Sequence, residues 1–242
     1  MSWLLGPAAL CIGFVWGALT IRNHLFPYNP LRRLAGSTRR LLRRSTGAFE
    51  EAPTRPDAVA PSYDLLFIGD SLVYGGDWER YFPGARIYNG AMMGETTWGA
   101  LRYIESMAVL GAPRAVVMLG AKDFESVGYR CATTEDLDAT MRNFDTIVST
   151  IRRHGADVTI MAALQVNDQL RGSYPNPHIR ALNARLEGYA KEIGASFIDL
   201  NADLSGDSEG LRACYTYDGI KLTDEAYAIW AERLRGVIGR DL

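Results

Sequence analysis

The chain has 242 residues, 48% of them hydrophobic and 22% charged, and its 26 Lys and Arg against 28 Asp and Glu leave a formal net charge of −2. That length holds one substantial domain with room for an appendage, and the composition supports a packed core. The balanced charge provides no basic surface for nucleic acid, and three cysteines (Cys11, Cys131 and Cys214) fit neither a zinc spacing nor a CxxC redox pair.

The first segment is Trp3–Ile21, nineteen residues without a charge. As a helix it would be about 28 Å long, close to the hydrocarbon thickness of a bilayer. Leu4, Ile12, Phe14, Val15 and Leu19 would point to all sides of it, leaving no polar face. No Lys or Arg precedes the run and no small-x-small site follows it, which argues against a cleaved signal peptide. A transmembrane anchor is therefore expected over 1–22. Arg22, Arg32, Arg33, Arg39, Arg40, Arg43 and Arg44 follow before the first acidic residue, Glu50. Positive charge beside a span stays on the cytoplasmic side, which would put the rest of the chain in the cytoplasm. Arginines that merely touch anionic headgroups leave a periplasmic or extracytoplasmic placement open. With Pro53, Pro56 and Pro61, residues 23–61 read as a basic juxtamembrane segment and linker, and 62–242 as a folded domain.

From Tyr63 onward, short apolar runs alternate with amphipathic stretches. Strands are expected at 64–68, 86–89, 115–119, 158–162 and 196–199. Helices are expected at 97–110, at 134–154 with Thr134 as N-cap, at 179–193, and at 223–238 with Thr223 as N-cap. Near-continuous apolar strands separated by helices define a parallel sheet covered on both faces. The expected fold class is α/β: a flavodoxin-like three-layer sandwich with a five-stranded parallel sheet, preceded by the N-terminal transmembrane helix. Ligands of such sheets sit beyond the carboxyl ends of the strands.

After the first strand comes Gly69-Asp70-Ser71-Leu72. A glycine permits a sharp exit from the strand, and a serine entering the next helix aims its own N–H at the site, which suits an exposed nucleophile with a built-in oxyanion donor. The second strand is followed by Asn89-Gly90-Ala91-Met92-Met93-Gly94, where Gly94 either presents its N–H to that pocket or simply supplies a positive φ. Gly120-Ala121-Lys122-Asp123 follows the third strand, and Asp218-Gly219-Ile220-Lys221 leads into the last helix.

In order and position these four segments resemble the SGNH/GDSL hydrolase superfamily from Tyr63 to roughly Arg235. The resemblance implies a Ser-His-Asp site acting on acyl esters of lipids, sugars, peptidoglycan or other polysaccharides. Ser71 would be the nucleophile, Gly94 an oxyanion donor and Asp218 the triad aspartate. Two positions depart from the family pattern. Gly-x-Asn-Asp is here Gly120-Ala121-Lys122-Asp123, and the histidine of Asp-x-x-His is Lys221.

Lysine has an ordinary pKa of about 10.4 and must be neutral to accept a proton, a state that burial and a neighbouring cation favour. Lys122 and Lys221 are expected to share the pocket, giving a Ser71–Lys221 dyad with Lys122 as a cationic oxyanion donor. Asp218, placed to position Lys221, opposes this by favouring its charged form. His178, after the fourth strand, is a surface helix-start residue or a replacement base. The function expected is a membrane-anchored acyl ester hydrolase or acyl transferase, acting on a surface glycan or lipid ester. The alternative is an inactive relative whose two lysines bind an anionic or carbohydrate ligand, with Trp98, Tyr129, Tyr174, Tyr215 and Tyr217 beside the pocket. A third class, a structural subunit of a membrane complex, would use only the anchor. The expected partners are the lipid bilayer and the acyl-ester, anionic or carbohydrate ligand, with no nucleic acid; no cofactor or metal is expected.

Overall fold

The computed structural model describes residues 63–127, 132–171, 175–205 and 210–239. The expected anchor and linker, and with them Tyr129, Cys131 and Tyr174, lie outside the described residues. Among the described residues no helix is long and apolar enough to cross a membrane.

The chain runs β1 (Leu65–Gly69), α1 (Ser71–Tyr74), α2 (Trp78–Tyr81), β2 (Ile87–Asn89), α3 (Thr97–Ala100), α4 (Ile104–Ala108) and β3 (Arg114–Met118). A 3-10 helix (Ala121–Val127), α5 (Thr134–Arg153), β4 (Asp157–Met161), α6 (Asp168–Arg171), α7 (Asn176–Ile193) and β5 (Ser196–Ile198) follow. The chain continues through α8 (Asn201–Ser205), a short 3-10 turn (Ala213–Tyr215) and α9 (Asp224–Ile238). All five strands are parallel, in the order β2-β1-β3-β4-β5. This is the α/β sheet expected from the sequence, with strand ends shifted by about a residue.

Alternation within the strands builds two cores. Leu65, Phe67, Val116, Met118 and Ile198 face a layer supplied by α1, α2 and α9, including Trp78, Tyr227, Trp230 and Leu234. Leu66, Ile68, Val117, Val158 and Ile160 face the other layer, where α5 contributes Phe144, Ile147 and Ile151 and α7 contributes Ile179, Leu182 and Leu186. Both faces of the sheet are therefore dry, which is why its strands carry near-continuous apolar runs.

Three helix expectations need correction. The single helix expected over 97–110 is two short ones, because Tyr103 (φ −132°, ψ −5°) leaves the helical region between them. The N-cap of α5 is Thr133 rather than Thr134. The Thr133 hydroxyl accepts from Asp136 N–H while the Asp136 carboxylate accepts from Thr133 N–H, a capping box that starts the helix. Helix α7 begins at Asn176, three residues earlier than expected. Thr223 caps α9 as expected.

Asn176 belongs to a device that the sequence pattern hides. Beyond β4 the chain stays buried from Ala162 to Asn167, where no neighbouring strand pairs with all of it. Side-chain amides take over. Asn183 accepts from Ala163 N–H and donates to Ala163 C=O, both at 2.8 Å, and Asn176 does the same for Val166 at 2.9 and 3.0 Å. Asn201 accepts from Gln165 N–H at 2.8 Å. Each amide mimics a missing strand, since buried backbone groups must find partners. Replacing Asn183 with Leu orphans the Ala163 N–H, and urea unfolding of the variant should show a loss of about 1–3 kcal/mol.

Candidate active site

The carboxyl edge of the sheet is organised around the turn from β1 into α1. Val73 folds back so closely that a Cβ on Gly69 would meet Val73 Cγ2 at 2.2 Å and Met118 O at 3.0 Å, so only glycine fits there. Asp70 is the N-cap of α1, and its carboxylate accepts from Leu72 N–H at 2.9 Å. Ser71 is thereby the first helical residue, and its hydroxyl has no hydrogen-bond partner among the described residues. An aromatic cluster holds the turn from below. Trp78 stacks on Phe67 with ring centroids 4.3 Å apart and donates from Nε1 to Val73 O at 2.8 Å, while the Tyr227 hydroxyl donates to Leu72 O at 2.7 Å.

Backbone hydrogen bonds lay the next loop against this turn. Gly90 N–H donates to Phe67 O at 2.9 Å and Met92 N–H to Gly69 O at 3.0 Å. Gly94 follows at φ +70°, a conformation that only glycine adopts without strain. Its neighbour across the site is Lys122, whose Cε lies 4.0 Å from where a Gly94 Cβ would be. Glu95 is buried and accepts from Thr96 N–H at 2.9 Å, fixing the loop where it enters α3.

Lys122 lies in the first turn of the 3-10 helix after β3 and pairs with Glu125 at 2.5 Å. Asp123, its neighbour, points inward. It accepts from Thr97 N–H at 2.9 Å and from the Thr97 hydroxyl, which also receives Asn143 Nδ2–H at 3.1 Å. Burial raises the Asp123 pKa, partly offset by the Thr97 donors. Asp123 thus ties the Lys122 segment to the start of α3, a structural role distinct from that of Lys122.

The last loop is built differently from the sequence expectation. Asp218 Oδ1 accepts from Lys221 N–H at 2.8 Å and Ile220 N–H at 3.0 Å, closing a turn on its own backbone. Its other oxygen is taken by Arg171 of α6 at 3.0 Å, and Arg171 Nε–H also donates to Asp218 O at 2.7 Å. Desolvation pushes the Asp218 carboxyl up, but the two backbone donors and then Arg171 outweigh it, so its pKa is lowered. Lys221 is exposed and makes no ion pair among the described residues. Asp218 therefore fixes the backbone of Lys221 and leaves its ammonium alone.

Of the five residues singled out from the sequence, Ser71, Gly94 and Lys122 gather at the end of β1. Asp218 and Lys221 lie together on the turn before α9. Arg171 and Asn167, whose N–H donates to Gly219 O at 2.9 Å, hold that turn from the β4 side. Neither was legible, since no motif surrounds them. His178 lies on the first turn of α7 with its ring 6.0 Å from Phe124, and His154 caps the far end of α5 against Glu105 at 2.8 Å. No cluster of His, Cys, Asp and Glu able to hold a metal occurs among the described residues.

Asp70 carries the strongest electrostatic signature of the turn. Burial drives its carboxyl up to about 6 from an ordinary 3.8, against the Leu72 N–H and the Lys122 charge, which pull it down.

The chain matches the model of the GDSL-like lipase/acylhydrolase family over residues 67–229 and belongs to that family. No curated protein matches it significantly. Among solved structures it is similar to a GDSL-like lipase from Bacteroides thetaiotaomicron, at 21% identity and a TM-score of 0.63 over 84% of this chain and 98% of that one. An acetylxylan esterase from Geobacillus stearothermophilus gives 17% identity and 0.58 over 73% and 94%. A lipase/acylhydrolase from Enterococcus faecalis gives 16% and 0.57 over 70% and 92%. At these identities the likeness establishes the fold.

The raised pKa of Asp70 makes a signed prediction. The folded state keeps a proton that the unfolded chain sheds above about pH 4, so the stability carried by protonated Asp70 is present below pH 4 and lost as pH rises through about 6. Asp70→Asn removes this dependence. Between pH 4 and 7 the unfolding free energy of Asp70→Asn should gain about 1–3 kcal/mol on that of the parent, read by chemical denaturation across that range.

Proposed function

We propose that this chain is a membrane-anchored acyl ester hydrolase or acyl transferase in which Ser71 is the nucleophile. The observation that carries the reading is the Ser71 hydroxyl, unpartnered among the described residues at a strand-to-helix turn, with the Gly94 loop bonded to Gly69 of that turn, the Lys122 side chain next to Gly94, and the Lys122 charge acting on Asp70. Family membership supports the reaction class. The ester would be one carried by a glycan, as the name of the acetylxylan esterase neighbour suggests, or by a lipid.

In this mechanism Ser71 Oγ attacks the acyl carbonyl carbon and its proton passes to Lys221 Nζ. The Ser71 and Gly94 N–H groups and the Lys122 ammonium hold the tetrahedral oxyanion. The C–O bond to the leaving alcohol then breaks, and that alkoxide recovers the proton. Water, or an acceptor hydroxyl in a transferase, releases the acyl group from Ser71 by the same steps. Glu125 keeps Lys122 in an ion pair, which suits an oxyanion partner rather than a base. Lys221 must be neutral to accept that proton.

A second reading has its own observation. Arg171 and two backbone N–H groups occupy the Asp218 carboxylate, so among the described residues no carboxylate pairs with the Lys221 ammonium. A protein that binds an anionic or carbohydrate ligand without turnover would tolerate this arrangement.

Fluorophosphonate labelling and short-chain ester turnover separate the two. The catalytic reading predicts labelling and turnover in the full chain, both abolished in Ser71→Ala. Turnover should fall at least about 100-fold in Lys122→Ala, the scale of losing an oxyanion donor. No serine-dependent reaction from pH 6 to 10 would contradict it. Thermal stabilisation by sulfate, lost in Lys122→Ala, would then support the binding reading.

The anchor and orientation are proposals from the uncharged Trp3–Ile21 run and the arginines after it. A C-terminal reporter should be active only on the cytoplasmic side, and periplasmic activity would reject that orientation.

A further inference from the structure

The exposed large apolar side chains of the domain are unevenly placed. Tyr74 follows the Ser71 turn, Met92 and Met93 lie on the loop after β2, Trp98 is in the first turn of α3, Leu170 is in α6, and Tyr217 adjoins Asp218. All six belong to segments that leave the carboxyl ends of the strands. Only Val109 and Val237 are exposed elsewhere among the described residues. Val109 lies between α4 and the start of β3, and Val237 shares a cavity with Arg114, Asp157 and Ser196, where strands begin, so both mark the opposite edge of the sheet.

Burial normally removes such residues from water, and an apolar surface gathered on one edge marks a contact. We infer that this edge docks on a lipid bilayer, with Met93, Trp98 and Tyr217 entering the headgroup region around the Ser71 turn. This rests on the anchored reading above and adds which face the domain turns to the membrane.

Three features select a bilayer as the occupant. The same chain carries a nineteen-residue uncharged run followed by seven arginines. Forty residues separate Arg22 from Tyr63, so even fully extended they would keep the domain within about 140 Å of a bilayer that held the run. The rim also has the composition of an interfacial surface. Trp98 and Tyr217 are amphipathic rings of the kind that settle at headgroup level, whereas Met92, Met93 and Leu170 are aliphatic and offer no ring face to a sugar. Arg102 stacks against Trp98 at 5.0 Å, so a cation lies where lipid phosphates would be.

The test uses the full chain with Cys11, Cys131 and Cys214 replaced by serine, reconstituted into phosphatidylethanolamine–phosphatidylglycerol vesicles and isolated by flotation. Single nitroxide labels are placed through Met93→Cys, Tyr217→Cys, Val109→Cys and Val237→Cys, all at exposed positions. Docking predicts that labels at 93 and 217 gain oxygen accessibility severalfold over a water-soluble nickel chelate on vesicles relative to detergent micelles, while those at 109 and 237 do not change. Flotation with aqueous labels at 93 and 217 would overturn the docking and leave the anchor standing. Failure to float would overturn both. Labels at 93 and 217 already sheltered in micelles would put another part of this chain on the rim and overturn the bilayer as occupant. Aqueous labels immobilised by soluble xylan oligosaccharides would give the rim to a glycan, with the same consequence.

Discussion

A parallel strand that stops in the middle of a protein must hand its last backbone groups to something else, and the carboxyl edge of this sheet is arranged around that constraint. Gly69 ends β1 under the Val73 side chain, and its carbonyl is taken by Met92 N–H from the following loop. Ala163 and Val166, beyond β4, are satisfied by the amides of Asn183 and Asn176. These substitutions for strand pairing decide where Ser71, Gly94 and the Asp218 turn stand. The first brings the Gly94 loop against the Ser71 turn. The second carries the chain from β4 to Arg171, which grips Asp218.

Charge at this edge is partitioned rather than pooled. Lys122 is committed to Glu125 and lies close enough to Asp70 to be felt there, whereas Asp218 is committed to Arg171. Asp123 is spent on Thr97 at the head of α3. Lys221 is the ammonium of the motif residues that remains without an ion pair among the described residues. Asp218 fixes the backbone of Lys221 while its side chain stays exposed, whereas the Lys122 side chain lies beside Gly94.

Much of the fold was legible because both faces of the sheet are dry. Leu65-Leu66-Phe67-Ile68 and Ala115-Val116-Val117 could only be central strands, and Thr223 announced its helix. The strand-to-helix turn at Ser71 and the positive φ of Gly94 were legible from local turn chemistry. The short helices α2, α6 and α8 were not, because four or five residues carry too little periodicity to register. The partner of Asp218 was also hidden. Arg171 is 47 residues away in sequence and becomes a neighbour only through the buried run after β4, whose asparagines read locally as ordinary loop residues. Spacing placed Asp218 beside Lys221, as it is, but could not show that the carboxylate would meet the backbone N–H of Lys221 instead of its ammonium.

The central claim is that Ser71 is a nucleophile whose oxyanion is held by Gly94 and Lys122. The crystal structure of the protein treated with a fluorophosphonate tests it most directly. The account predicts a covalent bond from Ser71 Oγ to phosphorus, with the phosphoryl oxygen within hydrogen-bond distance of Gly94 N–H and Lys122 Nζ. An unmodified Ser71, or a phosphoryl oxygen turned away from both groups, would contradict it.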